Sequence, residues 1–215
     1  MVDRAGLLPG AAVVEIGAGT GIATVPLVER ELSVTALEPA PELAALARAK
    51  VGARATVVEE RFEVSTVPAP VALVAAFNAW HWVEPASGLT GAARLLAAGG
   101  HLALVWTEVT SWGDDPLEER LTTIFGAPWP KRMDHVEESL RPVRDDPRFG
   151  PFEVLHHPFE RTLDGEAYVA VTRTYGGGRS EHQLRELQRV IDGECGGAVT
   201  KREDAVLYLA RCNGP

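Results

Sequence analysis

The sequence predicts an α/β fold: a doubly wound, mostly parallel sheet of seven strands, with an antiparallel strand at its C-terminal end. Three observations predict it. Short β-branched runs alternate with helix-period segments through the first half of the chain, the pattern of βαβ units. Several of these runs are almost wholly apolar, as strands covered on both faces must be. A glycine cluster joins the first run to the first helix, at the strand ends where such sheets bind ligands.

The elements follow in order. AAVVEIG, Ala11–Gly17, is a first strand that ends on glycine. GIATVPLVER, Gly21–Arg30, has apolar residues at helical spacing. SVTALE, Ser33–Glu38, is a second strand. PELAALARAK, Pro41–Lys50, opens with proline at a first helical position. ATVVEE, Ala55–Glu60, and VALVAAFN, Val71–Asn78, are strands three and four. Gly88–Gly100 reads as a helix closed by a Gly-Gly stop, and His101–Trp106 as strand five. Phe152–Leu163 and Ala205–Cys212 read as a late antiparallel pair, with an amphipathic helix, His182–Asp192, between them. The whole chain, 1–215, is expected to be one domain, with 107–150 and 164–200 as lid or substrate-side insertions.

Composition narrows the function. Hydrophobic residues at 46% and charged residues at 24% are ordinary for a folded domain. A net charge of −9 argues against a nucleic-acid surface, which needs a basic footprint. Two cysteines, Cys195 and Cys212, form no disulfide scaffold or zinc pattern. No apolar run has the length of a membrane span, and MVDRAGLLPG lacks the layout of a signal peptide. A cytoplasmic protein is expected, monomeric or homodimeric, with a small-molecule substrate and no membrane or nucleic-acid partner. Asp114 and Asp115 read as a solvated loop, so no metal site is expected, and Gly176–Gly178 reads as a bend and not a phosphate loop.

The segment VVEIGAGTG, Val13–Gly21, carries most information. Glycines at 17, 19 and 21 let the backbone turn sharply and approach a ligand, and amides at the helix start can face it. A dinucleotide loop would need glycine at 22, where Ile22 stands, and no Gly-Lys-Ser/Thr of a Walker loop follows. Glu15, two residues before the first glycine, would repel a pyrophosphate and attract a sulfonium or ammonium. Glu38 ends strand two, 21 residues after Gly17, where a carboxylate can accept both ribose hydroxyls.

On these residues the chain resembles the class I S-adenosylmethionine-dependent methyltransferases. VVEIGAGTG is similar to the family's first motif and ALEP to its ribose-binding acid. RFEVSTVPAPVALVAAFNAWHWVEP, followed by AARLLAAGGHLALVW, resembles the small-molecule branch that includes trans-aconitate-methyltransferase-like and ubiquinone-biosynthesis-like enzymes. The resemblance implies a Rossmann-like sheet and S-adenosylmethionine as cofactor. It implies that Glu15, Gly17, Ala18, Gly19 and Gly21 hold the methionine part, with Asn78 beside it. It places Glu38 and Pro39 at the ribose and Arg61 and Phe62 at the adenine. Many relatives carry an acid at the Arg61 position, and an arginine cannot accept the adenine amino hydrogen. Relatives usually begin with a further helix that covers the cofactor. About ten residues precede strand one here, so weaker cofactor binding is expected.

Methyl transfer asks mainly for placement and exclusion of water, with a base only if the acceptor holds a proton. His81, in NAWHWVEP, is the candidate base; the alternative is a histidine that caps a turn. Trp106, Trp129 and His135 are candidates for the substrate pocket, against core roles for the tryptophans and a surface role for the histidine. The expected activity is transfer of the cofactor's methyl group to an O or N atom of a small organic molecule. Two other readings stay open: a non-catalytic S-adenosylmethionine-binding module, and a nicotinamide-dependent oxidoreductase, which Ile22 disfavours.

Overall fold

The computed structural model describes residues 1–111, 117–126, 133–174 and 179–214, with the backbone alone at 111, 118, 133–135 and 174. The strands are β1 (Ala12–Ile16), β2 (Ser33–Leu37), β3 (Ala55–Val58), β4 (Val71–Phe77), β5 (Leu96–Ser111), β6 (Glu153–Asp164) and β7 (Ala198–Arg211). The helices are α1 (Thr24–Glu29), α2 (Pro41–Val51), α3 (Pro85–Leu95), α4 (Leu117–Phe125), α5 (Met133–Asp145), α6 (Gly165–Thr174) and α7 (Glu181–Glu194). The sheet runs β3-β2-β1-β4-β5-β7-β6, the first five strands in parallel and the C-terminal strands antiparallel. This is a Rossmann-like α/β architecture.

The chain divides into two compact units. One comprises Met1–Trp106, Met133–Leu155 and Val206–Pro215; the other comprises Thr107–Arg132 and His156–Ala205. The expected insertion 107–150 is thus split, and 133–155 belongs with the first unit.

In the first unit, strand periodicity sorts side chains into two layers. Val14, Ile16, Leu37, Val74, Ala76, Leu102 and Leu104 pack with α3 and α5 residues such as Ala92, Leu95, Val136 and Leu140. Val13, Ala36, Leu73, Ala75 and Ala103 pack on Leu27 and Val28 of α1. The alternation follows from the two-residue period of a strand, and burial on both faces explains why these runs contain so few polar residues. The second unit has its own core, in which Leu117 and Leu121 of α4, Tyr168 of α6 and Leu187 and Ile191 of α7 are fully buried.

Helix starts have local causes. Proline begins both α2 and α3, and the Glu84 carboxylate caps α3 by accepting from the amides of Ala86 and Ser87. Ser180 and Gln183 form a reciprocal capping box on α7. The start of α1 is later than the periodicity suggests, because Gly21 has φ +77° and cannot join a right-handed helix.

One expectation is corrected. Gly99-Gly100 does not stop a helix: α3 ends at Leu95, and β5 already begins at Leu96. Leu96 pairs with Val71 and His101 with Leu73, so the intervening residues form a bulge. A Cβ at Gly100 would lie 3.0 Å from the Ala72 carbonyl oxygen. Two adjacent glycines fit a helix end and a crowded bulge equally well in sequence. The neighbouring strand decides between them. Helix α6 was not anticipated.

Among the described residues no helix is long and apolar enough to cross a membrane. No group of three or more His, Cys, Asp or Glu there is placed to hold a metal ion.

Candidate cofactor cleft and its surroundings

A cleft of about 410 Å³ opens in the first unit, beyond the carboxyl ends of β1, β2, β3 and β4. Six of the residues expected at the cofactor line it: Gly17, Glu38, Pro39, Arg61, Phe62 and Asn78. Ile16, Leu37, Leu43, Glu60, Glu63, Ala79, Trp82 and Val83 complete the lining. Glu15, on β1, and Ala18, Gly19 and Gly21, in the loop that follows, are not in its wall.

The loop is shaped by what its glycines exclude. Gly17 has φ +65°, and a Cβ there would lie 2.6 Å from the Cβ of Ala79, so β1 and the turn after β4 can meet only through a glycine. Gly19 has φ +57° and open space where its Cβ would be. At Gly17 glycine is required by packing. At Gly19 it leaves room for a ligand to reach the backbone.

Glu15 lies on β1, on the face packed with α1, and is 1% exposed. Its Oε2 and the Thr24 hydroxyl make no hydrogen bond of ordinary geometry among the described residues. Burial pushes the Glu15 carboxyl up to about 7, with the nearby Thr24 hydroxyl pulling the other way. A buried carboxylate without partners is costly unless a cation or donor arrives to pair with it.

Glu38 is also buried, but its two oxygens are used. Oε2 accepts from the Gly19 amide at 2.8 Å and Oε1 from the Ala40 amide at 2.9 Å. These bonds tie the tip of β2 to the glycine loop. Each carboxylate oxygen has a second acceptor site, so two hydroxyls could still be bound.

Arg61 donates to Glu63 at 2.9 Å, and Glu63 also accepts from the Glu84 amide at 3.2 Å. Burial raises the Glu63 carboxyl, but Arg61 and the backbone amides outweigh it and hold it below the usual carboxylate range. Among the described residues, the cleft wall therefore carries Glu38, Glu60 and Glu63 against one cation, Arg61. That balance suits a cationic, hydroxyl-rich ligand and opposes a pyrophosphate.

Asn78 follows β4 with φ +52°, a conformation asparagine tolerates better than most residues. Its amide donates to the Val105 carbonyl at 2.8 Å. The next turn, Trp80–Trp82, holds Trp80 in the core and leaves Trp82 77% exposed at the cleft. His81 is half-buried between them, and its Nδ1 lies 3.4 Å from the indole Nε1 of Trp106.

Trp106 is 1% exposed and does not reach the cleft; the tryptophan there is Trp82. Trp129 lies outside the described residues, and of His135 only the backbone, on α5, is described. Helix α5 packs against α3 and the Trp80–Trp82 turn. Leu43, Glu60, Glu63 and Trp82 were not singled out from sequence. Leu43 follows Glu38 at the start of α2, and Glu60 and Glu63 flank the expected adenine residues. Proximity to those positions was the available signal.

Residues 14–104 match the family described as methyltransferase domain. An uncharacterized methyltransferase of Mycobacterium tuberculosis is 37% identical, over 54% of this chain and 54% of its own length. The chain thus spans about half the length of the curated relatives it matches. Among solved structures, a protein of Anaeromyxobacter dehalogenans assigned as a type II methyltransferase is 21% identical with a TM-score of 0.68, covering 98% of this chain and 94% of its own. The geranyl diphosphate C-methyltransferase of Streptomyces coelicolor, in complex with Mg2+, geranyl diphosphate and S-adenosyl-L-homocysteine, is 15% identical with a TM-score of 0.56, covering 98% and 76%. The [4+2]-cyclase SpnF is 15% identical with a TM-score of 0.57, covering 100% and 79%. These structural likenesses concern the fold, which several chemistries share.

Proposed function

We propose that this chain, whose residues 14–104 match the methyltransferase domain family, transfers the methyl group of S-adenosylmethionine to an O or N atom of a small organic molecule. The observation that carries this reading is the carboxylate pair at the glycine loop. Glu15 is buried and its Oε2 has no hydrogen-bonding partner of ordinary geometry among the described residues, and Glu38 joins the loop to β2 with acceptor sites to spare. The open space at Gly19 lies between them in sequence and touches Glu38 through its amide.

These residues fit the cofactor. Glu15 would face its cationic methionine end, Glu38 would accept its ribose hydroxyls with Pro39 beside it, and Phe62 would meet its adenine. Gly17, Ala18, Gly21 and Asn78 would shape the backbone around it, and Arg61 would orient Glu63. When bound, S-adenosylmethionine supplies an activated methyl group that a positioned nucleophile can take by in-line displacement. The chain's own part is then to place the acceptor and keep water out. His81, next to the cleft-lining Ala79 and Trp82, is the side chain that would meet the acceptor. The chain would work as a monomer or homodimer on a small-molecule substrate.

The test is calorimetric titration with S-adenosylmethionine, S-adenosylhomocysteine and NADH, followed by an assay for S-adenosylhomocysteine release with a panel of carboxylic acids, phenols and amines. Binding of the first two with turnover of a panel member is expected. Preferential NADH binding would sink the proposal. Binding without any turnover would favour a cofactor-binding module.

A further inference from the structure

We propose that Trp82 is the stacking platform for the adenine of S-adenosylmethionine, with Leu43 meeting the base from the α2 side of the cleft. This rests on the methyltransferase reading above and deepens it. It moves the main aromatic contact from Phe62, where position in the sequence puts it, to the turn after β4.

Phe62 has little to offer a base. It is 4% exposed and belongs to the core. Its ring lies 6.4 Å from that of Trp80, and a Cβ added at Gly91 of α3 would come within 3.2 Å of its Cε1. A ring so enclosed cannot turn a face to a ligand. Trp82 is its opposite. It lines the same cleft, and among the described residues no large hydrophobic side chain is more exposed. The His81 ring beside it, 5.0 Å between centroids and tilted by 46°, leaves most of the indole uncovered. A tryptophan carries a large apolar payload that a fold normally buries.

The backbone beneath this indole is fixed. The Trp82 amide donates to the Ala79 carbonyl and the Val83 amide to the Trp80 carbonyl, each at 3.0 Å. Trp80 anchors the turn in the core, and a Cβ added at Gly88 of α3 would lie 2.5 Å from Cγ1 of Val83. A rigid turn with an uncovered ring is preorganised for a flat partner. Glu63 indicates which part of the cofactor that is. It accepts from the amide of Glu84, two residues after Trp82, at 3.2 Å. The segment expected at the adenine is thereby drawn against the Trp82 turn. Leu43 stands on α2, which follows β2, and β1 separates β2 from β4 in the sheet. Two strand spacings are about 10 Å. A base held between two apolar groups needs about 7–8 Å, one contact distance on each face. Stacking on an aromatic ring uses the face of the base and none of its hydrogen-bonding edges.

The test reads binding and not turnover. The full chain is titrated calorimetrically with S-adenosylhomocysteine and with S-inosylhomocysteine, in which oxygen replaces the amino group of the base. Trp82→Ala should raise Kd about five- to a hundredfold, the range for losing one base–aromatic stack. The factor should be similar for both ligands, because a stacked face does not read the amino group. Trp82→Phe keeps a ring and should stay within about fivefold of the unmodified chain. Leu43→Ala should raise Kd about threefold. Because the indole is exposed, Tm of both Trp82 variants should stay within about 2 °C. Unchanged Kd in Trp82→Ala, a loss confined to one of the two ligands, or an equal loss in Trp82→Phe would overturn the stacking role. So would a Tm loss of about 10 °C in Trp82→Ala, which would mark a packing residue.

Indole emission gives a second reading. Trp80 and Trp106 are buried and Trp82 is open to acrylamide, while Trp112 and Trp129 are common to every variant. Saturation with S-adenosylhomocysteine should shield an indole from acrylamide in the unmodified chain, and that shielding should be absent in Trp82→Phe. Shielding that survives the substitution would count against the proposal. If the unmodified chain binds neither ligand, the cofactor reading fails and this proposal with it. If it binds them and Trp82→Ala changes nothing, the stacking role alone falls.

Discussion

Replacing Glu15 with glutamine should remove a pH-dependent loss of stability that the burial of Glu15 imposes. The carboxyl is raised from 4.5 to about 7 in the folded chain. At about 1.4 kcal/mol per pKa unit, ionising it in place costs about 3 kcal/mol. Between those two values the folded chain holds a proton that the unfolded chain has already released, so stability falls as pH rises through that window. The loss is absent below the unfolded value and complete above about pH 7. Glutamine carries no charge, so Glu15→Gln should escape the loss. Its amide would be buried where the Glu15 Oε2 has no hydrogen-bonding partner among the described residues, a cost that is the same at every pH and cancels from the comparison. The quantity to measure is therefore the Tm difference between the two proteins at pH 5 and again at pH 8, by scanning calorimetry without cofactor. About 2.5 kcal/mol of the loss falls between pH 5 and pH 8, so at about 2–4 °C per kcal/mol for a chain of this size the difference should move in favour of Glu15→Gln by about 5–10 °C. Other titrating groups are common to both proteins. A Tm difference that stays constant between pH 5 and pH 8 would refute the argument that Glu15 is buried without compensation.

The same carboxyl predicts how ligand affinity responds to pH. A cationic ligand that pairs with ionised Glu15 should bind about tenfold more tightly per pH unit between pH 5 and 7 and then level off; calorimetry should show that slope absent in Glu15→Gln. Glu38→Gln gives up a charged acceptor and should weaken S-adenosylmethionine binding by about ten- to a hundredfold, read as Kd. Gly17→Ala and Gly19→Ala should separate packing from binding. The first forces a 2.6 Å contact with Ala79 and should cost about 2 kcal/mol or more in a denaturant melt. The second meets no atom, should cost about 1 kcal/mol for its positive φ, and should lose cofactor affinity disproportionately.

Much of the fold was legible because its signals are local. Strand and helix periods are set by neighbours a few residues away, so β1, β2, β4 and α2 could be placed to within a residue or two. The glycine spacing and the two acids fall into the same class, since a strand tip and the turn after it form one short segment. Gly99-Gly100 was misread because its environment is another strand. The bulge is set by the Ala72 carbonyl and by the pairing of Leu96 with Val71. The lining of the cleft was half legible for a related reason. Glu38 and Phe62 follow from position, but that Glu63 is held by Arg61 and the Glu84 amide depends on where α3 begins.

By itself, then, the sequence determined the alternating βαβ architecture, the glycine loop that turns back on the strand ends, and the presence of an acid on each of the first two strands. Those follow from periodicity, steric freedom and charge, which act along the chain. Only the tertiary structure decided what each group experiences. It buried Glu15 under α1 with no hydrogen bond at Oε2 among the described residues, gave Glu38 two amides, left Trp82 at the cleft, and sent the Trp106 indole to His81. Burial, proton position and hydrogen-bond direction depend on which surfaces meet. In this chain that is set by the strand order β3-β2-β1-β4-β5-β7-β6 and by the helices packed on it, neither of which a local pattern can specify.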